Sequence, residues 1–449
     1  MAPWLKNYSS RAARVLLVWA VLFTVSTATD KTEIVPLSYL SGKITFNAWI
    51  DLITLCLAPL LAHLACGAPR TTLIDDSVPK PRWHDRMCHY NPTSVLWRYY
   101  AIADRRLRST KWTEKDMAAA NAVFWTKAGW DGSEVAALES ERYLQRIPRC
   151  NKINLMSWQT VQTVIVTLQG SQAVYILFGI RTHKINYHSF ALDFIFAPLA
   201  GLSLLRVFSA AWLTDDFSYS QGHHLSEITK DKEPASPGKD AEKLAEMPRA
   251  LPTSQIEPGA SAAAAATRSG QGSGSAPFLP VTCWRSRLLR FMYIVPVFCI
   301  WAMTLADSVP WEENTLYSAS NLMLCIFYTL CLTTSIFILG YYFVRERECT
   351  TVVLPCISTI WYKMFSGLII ASMVVVFTIA AIETRQSPCG KYTTFPPEWD
   401  AELCPGTVYL NAANRSGYFG IAEGVPSLTA NGYDFVIVNF TGLCLANTT

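Results

Sequence analysis

The sequence predicts an all-α membrane protein: about six transmembrane helices behind an N-terminal signal sequence, and a small β-rich extracytosolic region at the C-terminus. Three observations predict it. Of 449 residues, 51% are hydrophobic and 16% charged, against about 25% charged in a soluble domain, and mean hydropathy is +0.20. Six segments are apolar over roughly the 20 residues a helical span needs. The basic residues and the N-glycosylation sequons then fall on opposite sides of those segments. A net charge of +4 is too small to suggest a nucleic-acid partner, so the placement of the positive charges is what informs.

Lys6, Arg11 and Arg14 precede an apolar run at 15–25, and Ser26-Thr27-Ala28 supplies the small residues of a cleavage site. Residues 1–28 therefore read as a signal peptide or, uncleaved, as a signal anchor, and either places residue 30 outside the cytosol. The predicted spans are 47–66, 154–178, 190–213, 291–306, 318–344 and 361–382. Six crossings put 68–152, 214–290 and 344–363 inside, with 15, 9 and 3 Lys and Arg, and 30–46, 181–189, 307–317 and 383–449 outside, with 2, 2, 0 and 3. That is the positive-inside pattern. The sequons at Asn414, Asn439 and Asn447 all follow the last span, while Asn91 is disqualified by Pro92. The expected location is the membrane of the secretory pathway, finally the plasma membrane, with the C-terminus extracytosolic.

The inner segment 68–152 is predicted to be helical and basic. A first helix covers 94–108 after Asn91-Pro92. Thr113 caps a second with Asp116 at the capping-box position, running through Met117, Ala120, Phe124 and Lys127 until Gly129 stops it, and Ser133 opens a third to Arg146. Trp83, Trp97, Trp112, Trp125 and Trp130 stand among Arg105, Arg106, Arg108 and Lys111. Such a segment is either a helical layer packed on the inner ends of the spans or an interfacial element holding anionic inner-leaflet lipid. Residues 217–280, with five alanines at 262–266 and the interleaved Gly270, Gly272 and Gly274, predict a disordered cytosolic linker. Residues 383–449 predict a glycosylated β-rich cap in an oxidising compartment. A Cys389–Cys404 disulfide is the expected staple, with Cys444 as the alternative partner, so one of the three is left over.

Ionisable and polar groups inside spans are functional candidates. Asp51 lies one turn from the outer end of the first span and Asp193 at a similar depth in the third, with Arg206 deeper; His63 is near the inner end of the first. Gln159, Gln162, Gln169 and Gln172 form a stripe about 140° wide at about 100° per residue. Asp51, Gln162, Gln169, Gln172, Asp193 and Arg206 are the predicted lining of a polar intramembrane pathway for a small solute or ion; interhelical hydrogen bonding is the structural alternative. Asp51-Leu52-Ile53 before Ala58-Pro59-Leu60 is echoed by Asp193-Phe194-Ile195 before Ala197-Pro198-Leu199, with Pro59 and Pro198 as expected kinks. No G-x-S-x-G, H-E-x-x-H or P-loop lysine motif is present, and His84, Asp85, Cys88 and His89 fit no standard zinc spacing. No catalytic residue, metal or cofactor is predicted.

The stretch from Asn91 through Trp97-Arg98-Tyr99-Tyr100 and Ala103-Asp104-Arg105-Arg106 to Phe124-Trp125 and Trp130-Asp131-Gly132-Ser133, with Val166-Thr167-Leu168-Gln169-Gly170, resembles uncharacterised multi-pass membrane proteins of filamentous fungi, over residues 47–215. That resemblance implies a membrane fold and no activity. Three functions stay open: a transporter- or channel-like protein, a non-enzymatic sensor or scaffold, and a membrane enzyme with an unrecognised site. Convergence of Asp51, Gln169, Asp193 and Arg206 on one cavity favours the first or third. Dry pairing favours the second.

Overall fold

The computed structural model describes residues 33–34, 36–73, 78–182, 191–220, 278–308, 316–346, 349–387 and 390–397, and the strands 407–410, 420–429 and 432–440. The helices are α1 (Phe46–Gly67), α2 (Trp83–Met87), α3 (Pro92–Arg108), α4 (Glu114–Asn121), α5 (Glu134–Ser140), α6 (Trp158–Thr182), α7 (Ala197–Ser203), α8 (Trp284–Ser308), α9 (Ala319–Arg345) and α10 (Ile360–Glu383). Four of them, α1, α8, α9 and α10, are long and apolar enough to cross a membrane.

Hydrogen bonds fix the direction of each helix in the bundle. At one end Leu40 N donates to Ile382 O (3.1 Å), Leu192 N to Thr384 Oγ1 (3.0 Å) and Ser320 N to a Glu383 carboxylate oxygen (2.8 Å). This end holds the start of α1 and of α9 and the finish of α10. At the other end Arg206 reaches Cys66 O and Gln159, and Arg290 reaches Phe343 O. It holds the finish of α1 and α9 and the start of α6 and α8. Successive long segments therefore alternate in direction: α1, α6, 191–212, α8, α9, α10.

The segment 190–213, expected as one continuous helix, is not one. It consists of a 3-10 turn at Leu192–Phe194, the short helix α7, and 3-10 turns at Leu204–Phe208 and Ala210–Trp212. Pro198 sits in the first turn of α7, where its missing N–H costs nothing, so it starts the helix instead of kinking it. Pro59, in contrast, lies inside α1. Every residue of α7 is buried. α6 packs antiparallel along it through Val166, Gly170 and Ala173; a Cβ at Gly170 would lie 2.7 Å from Leu204 Cγ and 2.8 Å from Ala200 O. Close approach through small residues is the usual way helices associate in lipid.

The basic segment 68–152 is no separate layer. α3 is buried along nearly its whole length and is wedged between the long helices. Its N-terminus reaches deepest: Thr93 Oγ1 bonds Ser335 Oγ of α9 (2.7 Å), Ser94 Oγ bonds Tyr362 of α10 (2.6 Å), and Asn91 Nδ2 donates to Ser366 Oγ (3.0 Å). Ser335 lies about 15 Å from the end of α9 at 1.5 Å per residue. The Thr113–Asp116 capping box forms as expected. The helix it opens stops at Asn121, however, because the run Val123-Phe124-Trp125-Thr126 is β-branched and aromatic. That run becomes β3 (Val123–Thr126), pairing in parallel with β2 (Thr71–Leu73) and antiparallel with β4 (Gly129–Asp131). Gly129 takes φ +109° to close the hairpin. Ser133 caps α5, which ends at Ser140, short of the expected Arg146. β5 (Leu144–Arg146) then pairs with β6 (Ser218–Tyr219), so the start of the expected linker is strand-paired with the segment 68–152. Residues 221–277 lie outside the described residues.

β1 (Glu33–Ile34) pairs in parallel with β7 (Leu316–Tyr317), and β8 (Arg385–Gln386) pairs antiparallel with β9 (Tyr392–Thr393). Near the C-terminus β10 (Thr407–Leu410), β11 (Gly420–Thr429) and β12 (Gly432–Phe440) form an antiparallel sheet, and the β-prone run at 435–438 lies in β12. Asn439 pairs with Glu423 in that sheet. Residues 1–32, Asn414, Asn447, Cys389, Cys404 and Cys444 lie outside the described residues.

Candidate functional site

The polar residues predicted to line one pathway separate into two groups at opposite ends of the bundle. Arg206 forms the first. Its side chain is fully buried. Nε donates to Thr163 Oγ1 (3.0 Å); one terminal nitrogen donates to Cys66 O and Tyr99 Oη (both 2.9 Å); the other donates to Gln159 Oε1 (2.6 Å) and, more weakly, to Gln159 O (3.4 Å) and Gln162 Oε1 (3.5 Å). The guanidinium also stands 5.5 Å from the Tyr99 ring centroid. All three nitrogens are engaged, by α1, α3 and α6 together. His63 is buried beside it, with no hydrogen bond to either ring nitrogen.

Asp51 and Asp193 form the second group. Asp51 is exposed on α1; Asp193, in the 3-10 turn, is half-buried with Oδ1 unpartnered. Burial pushes the Tyr392 phenol up, with the Asp51 and Asp193 carboxylates adding to the shift. Gln169 and Gln172 join neither group. Gln169 is half-buried with Oε1 unpartnered, and Gln172 is exposed. The reason is geometric. The buried seam of α6 runs Val166, Gly170, Ala173, and Gln169 and Gln172 lie along its edge.

Several arginines are core. Arg98 donates to Gly67 O (2.7 Å) and Asn121 O (3.4 Å). Arg105 donates to Ala119 O (3.4 Å), Gly132 O (2.6 Å) and Thr350 O (3.1 Å). Burial pushes each of these two guanidinium groups down to about 10, so both remain charged at neutral pH. Arg108 bonds Asp104 (2.7 Å) and Glu134; Arg290 bonds Glu346 (3.2 Å). Arg105 and Arg108 are therefore both engaged inside the fold. The signal that could have found them is the heptad-like spacing of Arg98, Arg105 and the aromatic residues on one helix.

The side chains of the His84–His89 segment are engaged with the fold. Asp85 pairs with Lys363 (2.5 Å), the Cys88 thiol donates to His84 O (3.4 Å), and His89 packs edge-on against Trp130 at 4.4 Å. Among the described residues no three metal-ligating side chains converge. No protein-family model, curated protein or solved structure matches the chain.

Proposed function

We propose that this chain is a non-enzymatic multi-pass membrane scaffold that joins an extracytosolic C-terminal sheet to a cytosolic cap through a six-pass bundle. The observation that carries this reading is Arg206. A cation lining a solute path keeps part of its donor set free for water or substrate, whereas Arg206 spends every nitrogen on α1, α3 and α6. The orientation rests on the positive-inside count and the sequons. Trp158, Trp284 and Trp361, exposed at the starts of α6, α8 and α10, fit an aromatic belt where those helices enter the bilayer from the cytosol. In this reading α6 and 191–212 supply the fifth and sixth crossings.

A second reading, a polar pathway, draws on the unpartnered oxygens of Gln169 and Asp193. Cysteine accessibility separates the two. On a background with the native cysteines controlled, Gln162→Cys and Gln169→Cys should stay inert to a water-soluble thiol reagent in intact membranes. Val164→Cys and Leu168→Cys, on the lipid-facing side, serve as the inert reference. Reaction at 162 and 169 above that reference replaces the scaffold with the pathway.

A further inference from the structure

One half-buried cation has neither a hydrogen bond nor an ion pair among the described residues. Arg106 of α3 is held between two indoles, its guanidinium carbon 5.7 Å from the Trp112 centroid and 5.8 Å from that of Trp212. Its Nε is buried without an acceptor, and it makes no hydrogen bond or ion pair with any described residue. A guanidinium stacked on aromatic faces keeps its N–H edge free for an anion.

The loop beside it adds two more unpartnered cations. Trp112 Nε1 donates to Asn151 O (3.1 Å) and Asn151 Nδ2 returns to Trp112 O (3.3 Å); Ile153 N donates to Ala211 O (2.8 Å), next to Trp212. The two rings that sandwich Arg106 thus also anchor the loop carrying Arg149 and Lys152. Both of these are exposed and unpaired with any described residue. The nearby carboxylates are engaged elsewhere: Asp215 accepts from Gln159 Nε2 and Asp216 pairs with Arg146 (2.5 Å).

The next turn is apolar and points outward. Met156 N donates to Asn154 Oδ1 (3.0 Å) and Ser157 N to Asn154 O (2.9 Å), a tight turn that leaves Leu155 79%, Met156 92% and Trp158 67% exposed. A rigid turn offering large apolar side chains beside three free cations, at the start of a membrane-length helix, matches the boundary between headgroup and acyl chain.

We infer that Arg106, Arg149 and Lys152 form a binding site for the phosphate of an anionic phospholipid, with Leu155, Met156 and Trp158 seated among its acyl chains. The cations select net negative lipid over zwitterionic lipid, and the apolar turn selects a lipid over free phosphate. The inference rests on the bundle meeting a bilayer, as proposed above, but not on which compartment the edge faces or on whether the bundle conducts. A binding measurement in detergent therefore tests it apart from the scaffold reading.

The experiment is lipid binding by the purified full chain, read by native mass spectrometry and by thermal unfolding, with phosphatidylserine, phosphatidylcholine or inorganic phosphate added. Phosphatidylserine should bind and raise Tm, phosphatidylcholine should bind more weakly, and inorganic phosphate should do neither. Arg149→Gln and Lys152→Gln should each weaken phosphatidylserine binding about fivefold, and Arg106→Gln at least as much. If Arg106→Gln fails to fold, the Arg149→Gln/Lys152→Gln pair still decides, because those exposed side chains touch no described partner. Equal phosphatidylserine affinity in the wild type and the pair overturns the site. So does equal affinity for the two lipids, or stabilisation by inorganic phosphate equal to that by phosphatidylserine.

Discussion

Replacing Arg206 by Met is the most direct probe of the bundle. The side chain makes four hydrogen bonds of 3.0 Å or shorter, to Thr163, Cys66, Tyr99 and Gln159. At about 0.6 kcal/mol for each polar contact between membrane helices, their loss comes to about 2.4 kcal/mol. No carboxylate of a described residue pairs with Arg206, so its removal strands neutral acceptors and no counter-charge. The larger penalty of about 3–5 kcal/mol for breaking a buried ion pair does not apply. Arg206→Met should therefore destabilise by about 2–3 kcal/mol, measured by reversible unfolding in mixed detergent micelles. Gln159→Met and the double variant complete a cycle that should return a favourable coupling near the per-contact value. A single variant as stable as the wild type, with zero coupling to Gln159, would refute the clamp.

Three further outcomes are expected. Burial, reinforced by Arg98, pushes the His89 imidazole down to about 3, so the unfolded chain binds a proton below about 6.5 that the folded site refuses; stability should drop about 2 kcal/mol from pH 7.5 to pH 5 on this account, and His89→Gln should remove that part of the acid slope. Gly170→Ala places a Cβ 2.7 Å from Leu204 and 2.8 Å from Ala200 O and should cost about 1–3 kcal/mol by overpacking, seen as a lower Tm. Glycosidase should lower the apparent mass of the full chain, and Asn414, Asn439 and Asn447 changed together to Gln should abolish that shift; protection of residues 383–449 from a cytosolic protease in sealed vesicles checks the same topology independently.

Hydropathy made the four apolar helices legible, because a run of twenty apolar residues has few alternatives to a buried helix. Local capping was legible for the same kind of reason: Thr113 with Asp116, and Ser133, each satisfy orphan N–H groups from within the sequence. The switch from helix to strand after Asn121 was not, since it depends on β2, about fifty residues earlier, offering an edge to pair with. The packing face of α6 was not legible either. The glutamines of α6 repeat at helical spacing, yet the face that packs is set by Gly170 and Ala173, whose value is their small size against α7. Composition alone does not distinguish a polar stripe that lines a path from one beside a seam.

The buried arginines look expensive until their acceptors are considered together. Arg206 and Arg98 address Cys66 O and Gly67 O, the last carbonyls of α1; Arg98 and Arg105 address Asn121 O and Ala119 O, at the end of α4; Arg290 addresses Phe343 O, in the last turn of α9. The last four carbonyls of a helix have no intrahelical donor, and a helix C-terminus carries a partial negative charge. Each arginine thus meets a helix end that is both unsatisfied and of opposite sign. At the far end of the bundle the sign is reversed: the buried Glu383 carboxylate accepts from Ser320 N in the first turn of α9, where the partial charge is positive. Helix termini stand in for side-chain counter-ions at Arg98, Arg105 and Arg206, which is why these three fold inward, whereas Arg108 and Arg290 also have carboxylate partners. It also explains why Arg106 stands out. It lies between Arg105 and Arg108 on the same helix, yet it makes no hydrogen bond to a helix-end carbonyl among the described residues, and it is there that the proposed lipid phosphate would bind.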